Sequence, residues 1–283
     1  MSTNYNMLSI KKINNEKITV IPIKKVNSSE IKGYSIIPML YSNIYICAQK
    51  RSGKTNIIFK IMKACIDKDT KVVVFCSTHD NDDNWKYIKK YLETEQIPSV
   101  FYSSLFEDKI DQLEVLMNFM KEESKMNEME EEENKKKNIN NLIEIVKFDK
   151  EKGYSKINIK KKKQKTPKYL IIFDDLSIEL KVKSVAFLLK TFRHYKSKVI
   201  VSTQYLNDLA PDARMQFDIW LLFKGHTLDK LEKIYGDIGC NLPFDTFYDI
   251  YRKITDEPYQ FLYIDKTGCQ LRKNFNELIE IKN

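Results

Sequence analysis

The chain has 283 residues, 42% hydrophobic and 12% aromatic, enough to bury one sizeable core in one large domain or two small ones. Its formal charge of +9 points towards an acidic polymer or surface, although only five of the 48 basic residues are Arg (Arg51, Arg193, Arg214, Arg252 and Arg272). Seven glycines exclude collagen-like and Gly-rich disordered classes. No apolar run approaches the ~18 residues of a membrane span, and the first residues lack the charged and apolar regions of a signal peptide. The five cysteines show no C-x-x-C spacing. Cys47, Cys65 and Cys76 sit in apolar segments and read as reduced core thiols of a cytosolic protein. His79, His194 and His226 are too few and too scattered for a structural zinc.

Residues 1–38 read as a basic N-terminal arm with one short strand at 18–23, and 39–283 as the main domain. Ile44–Cys47 is a short β-branched and aromatic run that enters a loop, followed by helical periodicity over 55–67. Lys71–Cys76 has the near-continuous apolar character of a strand buried on both faces of a parallel sheet. The pattern then predicts a helix near 82–95, a strand at 99–102 and a helix over 107–121. Past an interruption come an apolar strand at 169–173 ending in Asp174-Asp175, a helix over 179–195, and strands at 198–204 and 219–223. Helices near 227–237 and 244–253 precede a strand at 261–265 that enters a hairpin. Strands alternating with helices predict a three-layer α/β domain on a mostly parallel sheet.

The interruption, 121–168, runs from acidic (Glu130–Glu133) to basic (Lys160–Lys163), with only 142–146 able to pack. Such composition predicts a mobile insertion, either a solvated surface loop or a contact with DNA or a neighbouring subunit. It holds 15 Lys and 10 acidic residues, and residues 1–38 hold 6 Lys and 2 Glu. Together they carry the whole charge surplus.

The sharpest motif is Ala48-Gln49-Lys50-Arg51-Ser52-Gly53-Lys54-Thr55, which matches the phosphate-binding G-x-x-x-x-G-K-[ST] loop except for Ala48 in the first Gly position. A bare G-K-[ST] is expected about 0.1 times by chance in this composition, so the flanking strand and periodic helix carry the assignment. Gly53 lets the backbone turn its N–H groups towards phosphates, Lys54 reaches the β/γ oxygens, and the Thr55 hydroxyl suits Mg²⁺. An apolar strand ending in two carboxylates supplies the second element, with Asp174 orienting the metal and Asp175 polarising the attacking water. Gln204 ends a further strand, where it would sense the γ-phosphate or position water. At least one further strand, 71–76, expected between the phosphate-loop (Walker A) strand and the acidic (Walker B) strand places the fold in the RecA-like P-loop NTPase class that uses an acidic catalytic residue.

On these motifs, with Arg193-His194 ahead of the Gln204 strand, the chain resembles the FtsK–HerA superfamily over roughly 40–120 and 169–275. Within it the chain looks most like the genome-packaging ATPases of large eukaryotic DNA viruses, virophages and polinton-like elements. It departs from them at Ala48, at Phe192 before Arg-His, and in the 121–168 insertion. The resemblance implies ATP and Mg²⁺ as cofactors and a homo-oligomeric, commonly hexameric, ring that threads double-stranded DNA into a capsid irrespective of sequence. It implies capsid-vertex proteins as partners, no membrane, and a place at viral assembly sites in the host cytoplasm. ATP sites between subunits need an arginine from the neighbour, for which Arg214 is favoured over Arg193. Lys50 and the Lys residues of 160–168 are candidates for the DNA backbone. A helicase or conjugation-type pump of the same superfamily and a nucleotide-dependent capsid-assembly protein stay open as alternatives.

Overall fold

The computed structural model describes residues 26–126 and 164–281. The strand expected at 18–23 and most of the charged insertion lie outside them.

Six strands form the parallel part of the sheet: β1 (Asn43–Cys47), β2 (Lys71–Cys76), β3 (Ser99–Tyr102), β6 (Tyr169–Asp174), β7 (Ser197–Thr203) and β8 (Ile219–Phe223). An antiparallel extension, β9 (Phe261–Asp265), β10 (Gln270–Lys273) and β11 (Glu277–Leu278), completes nine strands in the order β11-β10-β9-β8-β1-β7-β6-β2-β3. The helices are α1 (Lys54–Cys65), α2 (Asp83–Thr94), α3 (112–126), α4 (Lys183–Thr191), α5 (Pro211–Arg214), α6 (Leu228–Ile238) and α7 (Phe244–Ile254).

Every residue of β1, β6, β7 and β8 is buried. The apolar runs follow from this, because helices cover both faces of the sheet. Alternation along each strand then sorts side chains between two cores. Ile44 and Ile46 join Ile58, Met62, Trp85 and Leu92 of α1 and α2 on one face. Tyr45 and Cys47 join Leu113, Leu188, Leu231 and Phe247 of α3, α4, α6 and α7 on the other. Cys47, Cys65 and Cys76 are fully buried within these layers.

A strand does stand between the phosphate-loop strand and the Asp174-Asp175 strand, and it is β7. The 71–76 strand, which intervenes in sequence, lies on the far side of β6. The chain leaves β1 towards β2, returns through β6 and β7, and steps across β1 to β8. Strand order therefore reverses beside β1, the position where α/β sheets place ligands.

Three local readings are corrected. The helix expected over 107–121 starts at 112, because Phe106–Glu107 (β4) and Ile110–Asp111 (β5) form a tight hairpin first. Asp108 and Lys109 both have positive φ (49° and 67°), the requirement of a two-residue hairpin turn, but Asp-Lys lacks the glycine that signals it. Asp111 then caps α3, its Oδ1 accepting from the Leu113 and Glu114 amides at 2.9 and 3.1 Å. The helix expected over 179–195 is a 3₁₀ turn (Ser177–Lys181) followed by the shorter α4. The strand after it stops at Thr203, leaving Gln204 one residue past its end.

Candidate nucleotide site

The loop between β1 and α1 is fixed at several points. The Ala48 amide donates to the Thr203 carbonyl at 3.1 Å, tying the loop's start to β7. The Gln49 side-chain amide donates to the Gly225 carbonyl at 2.8 Å, and the Ser52 hydroxyl to the Gln49 carbonyl at 2.7 Å. Gly225, with φ of 102°, sits so close that a Cβ there would stand 2.7 Å from the Gln49 amide. Arg51 (φ 61°) and Gly53 (φ 91°) are left-handed, which turns successive N–H groups towards a common concavity. Ala48 is absent from the positive-φ residues and fully buried, so the missing glycine at this position strains nothing. Helix α1 opens directly after Gly53, and its first-turn N–H groups face the same space.

Three predicted residues meet in front of this loop. Lys54, 7% exposed, places Nζ 2.8 Å from Asp175 Oδ1. Gln204 Nε2 donates to the same oxygen at 3.2 Å. Asp175 itself adopts φ of 52°, a left-handed turn that lifts its carboxylate off the end of β6. By alternation with Leu170 and Ile172, Asp174 faces the α1–α2 layer, where the Lys54 charge also acts on it. Its Oδ2 accepts from the Trp85 indole Nε1 at 3.0 Å, while Oδ1 is buried without a hydrogen-bond partner. Burial, then the neighbouring Asp175 charge, pushes the Asp174 carboxyl up to about 6.

The donor set suits Mg²⁺. An orphaned carboxylate oxygen on Asp174 and the Thr55 hydroxyl are hard oxygen ligands, and Mg²⁺ ordinarily takes one or two such groups together with phosphates and water. Among the described residues no group of three or more His, Cys, Asp or Glu forms an all-protein cage.

Four further residues adjoin the site. Trp85 comes from α2, Lys230 from the first turn of α6, and Tyr259 from the turn before β9. Lys230 Nζ donates to the Gln204 carbonyl at 2.8 Å, fixing the backbone that carries the Gln204 side chain. His226 Nε2 donates to the Cys47 carbonyl at 3.1 Å, beneath the loop. Burial, and secondly Lys230, lowers its pKa to about 4, so this imidazole is neutral. The sequence offered little to mark them, since Lys230 is one lysine among many and Trp85 occupies an apolar position of an amphipathic helix.

The two arginines expected to act in trans differ sharply. Arg214, the favoured one, is 12% exposed, its Nε bound to Asp237 Oδ2 at 2.6 Å and its Nη1 to the Leu209 carbonyl at 3.0 Å. It braces α5 against α6, with its guanidinium occupied by Asp237 and the Leu209 carbonyl. Arg193 is 63% exposed, pairs with Asp218 Oδ1 at 3.2 Å near the starts of β7 and β8, and lies over the Phe192 ring at 5.2 Å. Lys50 is exposed, whereas Lys165 and Lys168 pair with Glu30 and Glu123 at 2.8 and 3.2 Å. Lys160–Lys163 lie outside the described residues.

Sheet, loop and Asp174-Asp175 strand define an α/β protein with a P-loop fold. No protein-family model matches the chain. Over 101 residues it is 29% identical to uncharacterized protein 015R of Frog virus 3 (isolate Goorha), a match spanning 35% of this chain and 31% of that protein. Among solved structures it is similar to the genome-packaging NTPase B204 of Sulfolobus turreted icosahedral virus 2. The ATP-gammaS complex has 16% identity and a TM-score of 0.47, covering 83% of this chain and 96% of that one. The Legionella pneumophila ATPase DotB aligns at 10% identity and a TM-score of 0.33, over 83% of this chain and 60% of that one. Among the described residues no helix is long and apolar enough to cross a membrane.

Proposed function

We propose that the chain is an ATP-hydrolysing motor that moves double-stranded DNA, and that the DNA is a viral genome entering its capsid. The convergence of Lys54, Asp175 and Gln204 on one point beside the phosphate loop carries the hydrolytic part of this reading. The packaging part rests on the motif resemblance to the FtsK–HerA superfamily.

Lys54 is held by Asp175. Phosphate oxygens in the loop compete for the ammonium, and the Asp175 carboxylate is released to accept a proton from the attacking water. Gln204, already within hydrogen-bond reach of Asp175, orients that water. Loop N–H groups and the start of α1 hold the β- and γ-phosphoryl oxygens in place. Mg²⁺, bound through Thr55 and Asp174, would neutralise phosphate charge.

Self-association is part of the proposal. Ile178, Phe187, Tyr205 and Met215 are all more than half exposed, and the elements that carry them pack on one another beside Asp175 and Gln204. Large exposed apolar side chains on elements that touch one another suit burial against a second copy. Arg193, just beyond α4, is the arginine such a contact would offer to a neighbour's phosphates.

The test is ATP hydrolysis measured with duplex DNA of several sequences, together with particle size measured with a non-hydrolysable ATP analogue and the same duplexes. The proposal expects a ring, with hydrolysis stimulated equally by each duplex and less at high salt. A monomer whose turnover ignores DNA would contradict it.

A further inference from the structure

A cavity of about 190 Å³ borders the phosphate loop on its β8 and β9 side. It is lined by Arg51 and Ser52 of the loop, Phe223 and Lys224 at the end of β8, and Tyr259 and Gln260 before β9. Pockets that enclose a whole ligand run to roughly 300–1,000 Å³, so this one suits one end of a longer molecule.

Tyr259 is unusual on two counts. Its ring is 70% exposed, and its φ of 65° is a left-handed conformation that a bulky residue adopts rarely. The ring lies against the loop, since a Cβ on Gly53 would stand 3.4 Å from Tyr259 Cδ1. Nothing in the core requires an aromatic side chain there.

The sheet order supplies a direction. Asp175 and Gln204 follow β6 and β7, on one side of β1, and the cavity lies on the opposite side, at the end of β8. A triphosphate with its γ-phosphoryl group at Asp175 and its middle phosphate at Lys54 therefore extends its nucleoside end towards Tyr259. Three polar side chains around that end already hold partners of their own. Lys224 Nζ donates to the Asp256 carbonyl at 2.6 Å, the Ser52 hydroxyl donates to the Gln49 carbonyl at 2.7 Å, and Gln260 Oε1 accepts from the Asn274 amide. The Tyr259 ring and the exposed Arg51 guanidinium offer a base two flat surfaces on which to stack, and stacking does not read the base edge.

We propose that Tyr259 and Arg51 form a nucleobase-stacking subsite that grips purines by their faces, so that the site accepts ATP and GTP alike. This rests on the nucleotide reading of the loop. Base stacking on an aromatic ring corresponds to about a tenfold or greater gain in affinity.

The experiment is a binding titration of ATP, GTP and inorganic tripolyphosphate, each with Mg²⁺, against the full chain and its variants. For the unaltered chain the expected result is ATP and GTP within about threefold of each other, both at least tenfold tighter than tripolyphosphate. Tyr259→Ala should bring both nucleotides to the tripolyphosphate level and leave tripolyphosphate itself unchanged, which also shows that the variant is folded. Tyr259→Phe should retain the nucleotide preference. Undiminished ATP affinity in Tyr259→Ala, or a large ATP preference over GTP, overturns the subsite and leaves the phosphate loop standing. Tripolyphosphate binding that survives Lys54→Ala overturns the loop reading itself, and the subsite with it.

Discussion

Asp174 and Trp85 meet at 3.0 Å through Oδ2 and the indole N–H, at the junction of β6 and α2, while the other carboxylate oxygen is left unpartnered. The Ser202 hydroxyl and the Trp85 indole both favour the charged carboxylate, against the larger effect of burial. Trp85→Phe keeps the ring packing and removes the donor. A lost hydrogen bond to a buried charged group costs roughly 1.5–3 kcal/mol. Urea denaturation should show that loss at pH 8 and a smaller one at pH 5, where Asp174 is largely protonated. An equal loss at both pH values would mean that the indole acts only through its shape.

Asp174 and His226 act on stability with opposite signs. The Asp174 pKa is raised to about 6 in the folded chain, so its contribution is fully present below the unfolded value near 4 and is lost as pH rises through 6. The His226 pKa is lowered to about 4, so its contribution is present above the unfolded value near 6.5 and is lost as pH falls towards 4. Each full swing is about 3 kcal/mol at most, and across pH 4–6 the two nearly cancel. Asp174→Asn should therefore lose stability on acidification relative to the unaltered chain, and His226→Asn should gain it. Denaturation midpoints at four or five pH values check the signs. Asp174→Asn should also be the more stable chain at pH 8 while failing to hydrolyse ATP, since the charge it removes is costly to bury and needed for the metal.

Arg214 and Arg193 separate structure from chemistry. Arg214→Ala leaves Asp237 half of a largely buried pair and should destabilise the chain by about 2–4 kcal/mol. Arg193→Ala should change stability by less than about 0.5 kcal/mol, because its partner contact is solvent-exposed on the arginine side. Turnover in the assembled state should fall at least 100-fold in Arg193→Ala, with ATP affinity retained. A stable, inactive Arg214→Ala beside an active Arg193→Ala would reverse the assignment.

Gln204→Ala tests the third contact to Asp175. Its loss should lower kcat about 10–100-fold with KM little changed, as expected for a group that orients water and does not bind ground-state phosphate. Single-turnover kinetics give the split. A rise in KM alone would make Gln204 a substrate-binding residue.

The sheet strands were readable in the sequence because burial on both faces forces continuous apolar runs, as at Lys71–Cys76 and Tyr169–Phe173. The phosphate loop and Asp174-Asp175 were readable because their chemistry requires particular residues at short spacing. The 106–111 hairpin was not, since its turn uses Asp108 and Lys109 where glycine would have marked it. Trp85, Lys230 and Tyr259 reach the site from α2, α6 and the turn before β9, so only the fold shows that they adjoin it. Arg214 and Arg193 look equivalent as letters, and the burial of one against Asp237 distinguishes them.

The central claim is that the 48–55 loop and Asp175 form one ATP-hydrolysing centre. Steady-state Mg·ATP hydrolysis by the full chain, compared with Lys54→Ala at equal concentration and with duplex DNA present, tests it most directly. The account predicts DNA-stimulated turnover that Lys54→Ala abolishes. Full hydrolysis by Lys54→Ala would contradict it.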